Sequence, residues 1–598
     1  MDRPWLKFYE KGVPQSLTYP EIPIDTLLAE TARKYPAKTA TNFVLKYILG
    51  GRMTIGGKTT YNRLNELVNR FATALSQLGV RKGDRIGLML PNSPHFVIAF
   101  FAAMRLGAVI VNINPTYTSR ELKHQLEDSG TETILLLNLF WPRLNEVQAE
   151  TPIKRVIVAH IFDTLPFPSN LLVRSSQRKE KDWIDVPHDS NAFFFNDLLQ
   201  KYDPMPPKVD VNPDEVALFQ YTGGTTGLPK AAMLTHRNLI SNVIQLTAWL
   251  TDGKPGQERM MGAIPFFHVY GMTVGMLYSV YMGAEMTIVP NPRPIDNVMN
   301  VIQKERCTLF PGVPAMYIGI VNHPKVQDYD LHSVRACISG SAPLPMEVQE
   351  RFGKLTGGRL VEGFGLTETS PVTHCNPING TRKAGSIGVP VPDVEARIID
   401  LETGEPLPFN TDAQGELCVR GPQVMKGYWK RTEETANTID PDGWLHTGDI
   451  CKVDNDGYFF IVDRKKDMII ASGYKVLPRD VEEVLFMHPA ILEAVVAGIP
   501  HPTRGDDTVK AYVVLKPDAT LTVEEVKEFC QQHLAPYKVP REIEFRSELP
   551  KTMVGKVLRR VLVEEEKAKM AAARGATAAA QPSVEPAAAP ETTAQQPT

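Results

Sequence analysis

The 598-residue chain has few cysteines, and no two of them are close together in the sequence. They are Cys307, Cys337, Cys375, Cys418, Cys451 and Cys530. This spacing excludes a dense disulfide framework and a zinc site built on C-x-x-C pairs. It is typical of proteins in a reducing compartment, so we expect a cytoplasmic protein.

The chain also lacks an excess of charge of one sign. Lysine and arginine total 65 against 68 aspartate and glutamate residues, which gives a net charge of −3. Such a balance creates no chain-wide field to attract a polyanion, so nucleic acid is not an expected partner. A hydrophobic content of 43% and a charged content of 22% are those of a globular protein with a substantial core.

Long uninterrupted apolar runs are missing as well. The N-terminus, MDRPWLKFYEKG, has no apolar core of the kind found in secretory signals. The run that starts at Pro94 is broken by Arg105 and Gly107 into pieces shorter than the roughly 20 residues that span a bilayer. Residues 261–284 contain no aspartate, glutamate, lysine or arginine, but they include proline, histidine and glycine. We predict a buried helix and strand for the first run, and buried core or an apolar substrate wall for the second.

Hydrophobic periodicity predicts an α/β first half. Amphipathic helices over Ile24–Tyr35 and Tyr61–Leu78 precede short β-branched runs such as Arg85–Leu90, and this alternation is typical of a parallel sheet. Residues 162–207 interrupt the rhythm with proline, serine and mixed charges. We expect this segment to be an excursion between sheets rather than a core element.

The second half divides into three parts. Residues from about 384 to 465 contain five short strand-like runs, VEARIID, GELCVRG, GYWK, DGWLHTGDI and DGYFFIVDR, which predict a small β-rich subdomain. Residues 466–565 alternate strands and helices, which predicts a compact α+β domain. Residues 566–598 are rich in alanine and proline and poor in large apolar side chains, so we expect a disordered tail.

A glycine- and threonine-rich segment, YTGGTTGLPK, covers residues 221–230 and follows an apolar strand. Small residues let backbone N–H groups approach phosphate oxygens, and Lys230 adds a positive charge. The segment does not fit the Walker loop, because Leu228 and Pro229 separate Gly227 from the lysine and no helix pattern follows. A hairpin turn without a ligand remains the alternative for this segment alone.

Six further blocks accompany this segment: PFFHVYG, SGSAPLP, EGFGLTETSP, GWLHTGDI, DRKKDMIIASGYKV and PKTMVGKVLRR. Together, in this order, they resemble the ATP-dependent adenylate-forming enzymes, a family of acyl-CoA synthetases, luciferases and peptide-synthetase adenylation domains. The resemblance implies that a carboxylate attacks the α-phosphorus of ATP, that pyrophosphate leaves, and that CoA captures the acyl-adenylate. A P-loop NTPase or kinase would instead release ADP.

The resemblance implies a set of nucleotide-binding residues taken from these blocks. They are Thr222, Gly223, Gly224, Thr225, Thr226, Gly227, Lys230, Gly340, Ser341, Ala342, Pro343, Glu362, Gly363, Phe364, Gly365, Leu366, Thr367, Asp449, Arg464, Gly473 and Lys556. In this set Phe364 is expected against adenine, in a place where relatives often carry tyrosine, and Asp449 at the ribose hydroxyls. Magnesium is implied at Glu368 and Thr222.

Catalytic roles are implied for Lys556, Thr367 and His268. The lysine bridges the substrate carboxylate and the α-phosphate, the threonine contacts the α-phosphate, and the histidine positions the carboxylate. Each block also has a structural alternative when taken alone. GLTETS fits a capped helix start, Asp449 and Arg464 fit an exposed turn, Lys556 fits solvated surface, and His268 fits a core histidine.

The substrate is expected to be a fatty acid. The walls beside His268 are apolar and uncharged, and residues 111–130, VNINPTYTSRELKHQLEDSG, resemble the bacterial long-chain fatty acid CoA ligases. The alternative is a ligase for a medium-chain or aryl acid.

The same resemblance implies a fold. It comprises two doubly wound α/β sheets with a distorted β-barrel, followed by a small mobile C-terminal domain with its hinge at Lys466. Peripheral contact with the inner face of the membrane and a homodimer are left open.

Overall fold

The computed structural model describes residues 3–48, 53–179, 183–187, 191–222, 229–409, 413–471, 474–501, 507–552 and 556–579, with the backbone alone from 571. Contacts divide the chain into two compact units. The large unit holds residues 1–465 and 553–556, and the small unit holds residues 466–552 and 557–598.

The strands of the large unit are, in chain order, β1 (Thr39–Ile48), β2 (Met53–Thr60), β3 (Arg85–Met89), β4 (Val109–Asn112), β5 (Thr133–Leu137), β6 (Arg155–Ala159), β7 (Ala192–Phe194), β8 (Val216–Thr222), β9 (Lys230–Thr235), β10 (Arg259–Gly262), β11 (Glu285–Ile288), β12 (Leu309–Gly312), β13 (Ala336–Ser339), β14 (Arg359–Gly365), β15 (Val372–Cys375), β16 (Val389–Pro390), β17 (Glu395–Ile399), β18 (Gly415–Arg420), β19 (Gly427–Tyr428), β20 (Leu445–Val453) and β21 (Phe459–Arg464). Those of the small unit are β22 (Ile469–Ala471), β23 (Tyr474–Val476), β24 (Ile491–Pro500), β25 (Asp507–Leu515) and β26 (Glu542–Phe545).

The helices of the large unit are α1 (Asp25–Lys34), α2 (Tyr61–Gln77), α3 (Pro94–Arg105), α4 (Ser119–Ser129), α5 (Trp141–Val147), α6 (Ser169–Lys179), α7 (Phe195–Lys201), α8 (His236–Trp249), α9 (Tyr278–Met282), α10 (Asp296–Glu305), α11 (Pro314–Val321), α12 (Met346–Thr356) and α13 (Thr432–Thr438). Those of the small unit are α14 (Pro478–Met487), α15 (Val523–His533) and α16 (Arg559–Ala579).

Two largely parallel sheets dominate the large unit. The eight-stranded sheet has the order β19-β9-β8-β4-β3-β5-β6-β7, and the nine-stranded sheet has the order β16-β15-β14-β13-β12-β10-β11-β1-β2. Strand β5 is buried at all its positions, as expected for a central parallel strand covered on both faces. The predicted α/β class is confirmed.

The β-rich region is an open four-stranded antiparallel sheet of order β17-β18-β20-β21. The resemblance implies a distorted barrel here, and this sheet occupies its place in the chain. The grouping of GYWK with these strands is wrong. Its first two residues, Gly427 and Tyr428, form β19, which pairs with β9 at the edge of the eight-stranded sheet.

Both apolar runs lie inside the large unit, as predicted. Helix α3 is buried from Pro94 to Met104, and β4 is buried throughout. Residues Gly271–Leu277 form a fully buried π-helix that continues into α9. None of the described helices combines the length and apolar character needed to cross a bilayer.

Two expectations for irregular segments are wrong in part. The excursion over residues 162–207 contributes an edge strand, β7, which pairs in parallel with β6, and helix α7, whose Phe195 is fully buried. Residues 566–579, predicted to be disordered, are helical because α16 starts on the small unit's core. There Leu562 is buried, and Glu566 lies 3.0 Å from Lys510. Alanine then continues the helix at little conformational cost.

Candidate functional site

The strands that flank the glycine-rich segment form an antiparallel pair in which Thr222 faces Lys230. Both ends of the predicted phosphate loop are therefore adjacent. The loop residues Gly223, Gly224, Thr225, Thr226 and Gly227 lie outside the described residues. Gly473 lies outside them too.

Tyr428 lies between Lys230, the predicted phosphate-binding lysine, and Glu368, the predicted metal ligand. Its hydroxyl donates a hydrogen bond to Oε1 of Glu368 at 2.7 Å, and the Lys230 Nζ lies 5.5 Å from the centre of its ring. Burial, followed by the charge of Glu368, raises the pKa of Tyr428 far above its usual value, so the hydroxyl remains a donor. Strand β19 holds this tyrosine in register with Ala232 of β9.

Two other contacts fix the surroundings of this link. The backbone N–H of Met425 donates to the carbonyl oxygen of Glu368 at 2.8 Å. The Lys230 Nζ lies 3.8 Å from the carboxylate of Glu434 on α13. Sequence reasoning missed both Tyr428 and Glu434, although the structure places them beside two predicted site residues.

The block EGFGLTETSP forms a strand end and a tight turn. Thr367–Thr369 is a single 3-10 turn, so the alternative of an α-helix start is wrong. A Cβ on Gly365 would lie 2.0 Å from the carbonyl oxygen of Pro371, so close backbone approach requires glycine there. Phe364 is partly buried at the end of β14, with its ring edge-on to His374. Leu366 and Thr367 are also only partly buried.

Three predicted blocks meet beside β13, which leads directly to Gly340. The buried carboxylate of Glu362 accepts a hydrogen bond from the Leu344 N–H at 3.2 Å. The hydroxyl of Tyr270 donates to the carbonyl oxygen of Ile338 at 2.7 Å. These contacts tie EGFG and PFFHVYG to SGSAPLP.

The loop after β13 is exposed but conformationally defined. Ser341 adopts a positive φ of 72°, Ala342 is partly buried, and Pro343 is exposed. Gly363 packs so closely that a Cβ would lie 3.0 Å from the Ile338 side chain. Small residues here leave room at the surface of the site.

Asp449 and Arg464 are brought together by the pairing of β20 with β21. They face each other in register, and the Arg464 Nε lies 2.9 Å from the Asp449 Oδ1. Asp449 is 1% exposed, so the alternative of an exposed turn acid is wrong.

His268 lies six residues after the end of β10, directly before the helical segment that includes the π-helix. Its Nδ1 accepts a hydrogen bond from the Tyr270 N–H at 3.2 Å. Desolvation, and then the charge of Lys556 in the same compact unit, lowers the pKa of His268 to about 4. The ring is therefore neutral at pH 7, with its proton on Nε2.

An apolar cavity of about 40 Å³ lies between α8, the π-helix and the β12–β13 strands. No charged side chain lines it. Its walls are formed by Leu246, Trp249, Leu250, Met260, Val274, Tyr278, Leu309, Phe310, Pro311, Ala336, Ile338 and Ile378. Ile338 lies in β13, two residues before Gly340, so one wall of the cavity belongs to the strand that leads to the predicted nucleotide site.

The donors near Glu368 fit a hard divalent cation. The Glu368 carboxylate and the hydroxyl of the adjacent Thr367 offer oxygen ligands, and the other predicted ligand, Thr222, lies at the end of β8 opposite Lys230. Magnesium is usually held by one or two carboxylates together with substrate phosphates. In the described part of the chain, no group of three or more His, Cys, Asp or Glu side chains forms a metal cage.

Comparison with known proteins gives consistent matches over both units. Residues 28–429 match the family described as AMP-binding enzyme, and residues 480–556 match the AMP-binding enzyme C-terminal domain. A long-chain-fatty-acid–CoA ligase of Bacillus subtilis is 45% identical over 94% of this chain and 98% of its own.

Solved structures of other proteins are also similar to this chain over most of its length. The ATP-bound MatB of Rhodopseudomonas palustris superposes with a TM-score of 0.78 at 28% identity, covering 92% of this chain and 100% of its own. A benzoate CoA ligase of Burkholderia xenovorans gives 0.76 at 26% identity over 90% of this chain and 99% of its own. The chain therefore belongs to the family of AMP-binding enzymes.

Proposed function

We propose that this protein activates a long-chain fatty acid with ATP, forming acyl-AMP and pyrophosphate, and then transfers the acyl group to CoA with release of AMP. The observation that carries the substrate class is the 45% identity to a ligase named for long-chain fatty acids. The uncharged walls of the cavity beside β13 support the same choice. A hydrocarbon chain is stabilised in such walls, whereas a polar acid would lose its hydration there.

The small volume of the cavity limits the length of the acyl chain that it can accept in this conformation. At about 40 Å³ it accepts a long chain only when side chains in its wall move. Met260 and the leucines of the wall can rotate at modest cost, because unbranched and γ-branched side chains have several low-energy rotamers. The rigid rings of Trp249 and Phe310 would then limit how wide the channel becomes.

In the proposed mechanism, His268 positions the substrate rather than transferring its proton. The neutral ring accepts from Tyr270 at Nδ1, so its Nε2–H is the group that donates to a carboxylate oxygen. Lys556 offsets the negative charge that develops between that carboxylate and the α-phosphate, with the Thr367 hydroxyl as a further donor. Asp449, held by Arg464, accepts hydrogen bonds from the ribose hydroxyls.

We infer that Glu368 and Thr222 would hold Mg²⁺, which would supply positive charge for the phosphates of ATP. Glu368→Gln should raise the Mg²⁺ concentration for half-maximal activity by about tenfold, because an amide oxygen is a weaker ligand for a hard cation than a carboxylate. The measurement is ATP–pyrophosphate exchange over a Mg²⁺ titration. The matched control is Glu434→Gln, whose carboxylate contacts Lys230 instead. Equal shifts in the two variants would show that Glu368 is not the ligand.

Tyr428 is inferred to orient Glu368. Tyr428→Phe removes the 2.7 Å hydrogen bond but keeps the ring beside Lys230. We expect the Mg²⁺ requirement to rise about threefold to tenfold, which corresponds to the net contribution of one ordinary hydrogen bond. In the double variant with Glu368→Gln, the two effects should not add, since both act on one carboxylate. Additive effects would show that Tyr428 does not act through the Glu368 carboxylate.

The proposed activity is tested by ATP–pyrophosphate exchange across saturated fatty acids of increasing length, medium-chain acids and benzoate. Long-chain acids should give the highest kcat/KM, and exchange should require the acid. Preference for benzoate would favour the aryl alternative, to which a structural similarity at 26% identity also points.

We propose that the protein works in the cytoplasm and contacts the membrane peripherally. Two observations support a reducing compartment: the six cysteines are free thiols, and all are buried. Residues 466–565 are inferred to form the mobile domain, with the hinge at Lys466, the first residue of the small unit.

A further inference from the structure

An exposed apolar and basic surface lies on the segment that joins β6 to β7. We call it the α6 patch; its members are Phe167, Leu171, Leu172, Arg174, Arg178 and Lys179. None of these residues belongs to the nucleotide site or the apolar cavity. Their exposure is therefore unexplained by the proposed chemistry.

Three large apolar side chains are exposed within six residues of this segment. Phe167 is 77% exposed, Leu171 52% and Leu172 45%. Of the large apolar side chains described as exposed, Phe167 has the highest exposed fraction. Such a concentration differs from the scattered single apolar residues of an ordinary surface and is typical of a contact site.

The helix itself is anchored, so the exposed groups are not a loose loop. Val173 is 7% exposed and packs into the core of the large unit, as does Leu165 just before the helix. Because Val173 and Leu165 hold the helix against the core, Leu171 and Leu172 are exposed to solvent in a fixed position. A rigid base lowers the entropy lost on docking.

The charged side chains of α6 itself are all basic, whereas the flanking segments carry the acidic residues Asp163, Glu180, Asp182 and Asp185. Residues 164–179 contain two arginines and one lysine and no aspartate or glutamate. The guanidinium groups of Arg174 and Arg178 lie 5.8 and 4.8 Å from the ring of Trp183, and both side chains are exposed. Lys179 follows at the end of the helix.

We propose that the α6 patch docks the protein on an anionic lipid bilayer, with Phe167, Leu171 and Leu172 in the interfacial region and the three cations at the headgroups. Apolar side chains next to arginine and lysine on one short helix match the composition of interfacial lipid-binding helices. A symmetric contact with a second copy is disfavoured, because it would bring the basic groups of both chains together. Membrane binding by the patch does not depend on the proposed function. Only its role does, which is to let the enzyme take a fatty acid from the membrane.

The test is flotation of the full-length protein with vesicles of neutral phosphatidylcholine and with vesicles that also contain phosphatidylglycerol. The parent should float mainly with the anionic vesicles, and less at high salt. For the variant F167S/L171S/L172S, the partition coefficient between vesicles and water should fall at least about tenfold, because the variant lacks the three apolar side chains that would enter the bilayer. The variant R174Q/R178Q/K179Q should lose the preference for anionic lipid.

The matched control is M205S/M346S, which changes two other exposed apolar residues, 75% and 53% exposed, and should float like the parent. Melting temperatures must match among the variants. Pyrophosphate release with a detergent-dispersed fatty acid should be unchanged in all of them, so failure of the proposed activity would appear there and not in flotation. Undiminished flotation of F167S/L171S/L172S would overturn the proposal. So would a change in its oligomeric state in place of vesicle binding, since that would identify a second copy as the occupant.

Discussion

Replacement of Lys556 by alanine is expected to slow adenylate formation on the order of a thousandfold, while thioester formation from supplied acyl-AMP stays within about twofold of the parent. The first half-reaction builds negative charge between the carboxylate and the α-phosphate, and a positioned ammonium group stabilises that charge. The charge of Lys556 already acts on His268, the residue inferred to hold the carboxylate. Thioester formation begins after that charge has gone and needs no such cation.

The two half-reactions are measured on one preparation, by pyrophosphate release and by CoA-dependent consumption of acyl-AMP. Lys551→Ala is the matched control. That lysine lies in the same segment but pairs with Glu493 inside the small unit, 2.5 Å away, so both rates should stay near the parent values. Lys556→Arg should recover part of the adenylation rate because it keeps the charge. Equal losses in both half-reactions for Lys556→Ala would remove the lysine from the first step.

Local signals predicted many elements closely. Helix α15 (Val523–His533) lies in the segment where alternating strands and helices are expected, and a capping box of Thr522 and Glu525 marks its start. The apolar strand expected before the glycine-rich segment is also present, as β8, and it ends at Thr222. In such cases the residues that determine the element lie within it or next to it.

The missed features depend on partners that are distant in sequence. Tyr428 reaches Glu368 only because a two-residue strand pairs with β9, nearly two hundred positions earlier. Nothing in the letters GYWK specifies that partner. The pairing of Asp449 with Arg464 likewise follows from the β20–β21 register, although the family resemblance marks each residue separately.

For the C-terminal tail, the sequence analysis predicted less secondary structure than is observed. Its composition predicted disorder, because few apolar side chains offset the entropy of ordering. The helix up to residue 579 is started by residues before the alanine-rich part, where Lys510 lies between Glu544 and Glu566, 2.9 and 3.0 Å away. Once a helix has begun, extension costs little for alanine.

Substitution of Lys466 by proline is expected to slow one half-reaction at least about tenfold relative to the other without unfolding either unit. Lys466 lies in an exposed turn and is the first residue of the small unit. A domain that alternates between two poses needs changes of φ and ψ at its hinge. Proline fixes φ near −65° and removes a backbone N–H, so it favours whichever pose tolerates that geometry.

Lys466→Ala is the control, because it removes the charge but leaves the backbone free, and it should support both half-reactions. The proline variant is assayed for pyrophosphate release and for thioester formation from acyl-AMP, after its melting temperature has been compared with that of the parent. Full retention of both rates would mean that Lys466 is one charge in a tolerant turn. Loss of both rates in the alanine variant would assign the effect to the side chain. The hinge is placed at this backbone position only if the proline variant loses one half-reaction selectively and the alanine variant loses neither. Both variants lack the lysine side chain, but only proline restricts rotation about φ.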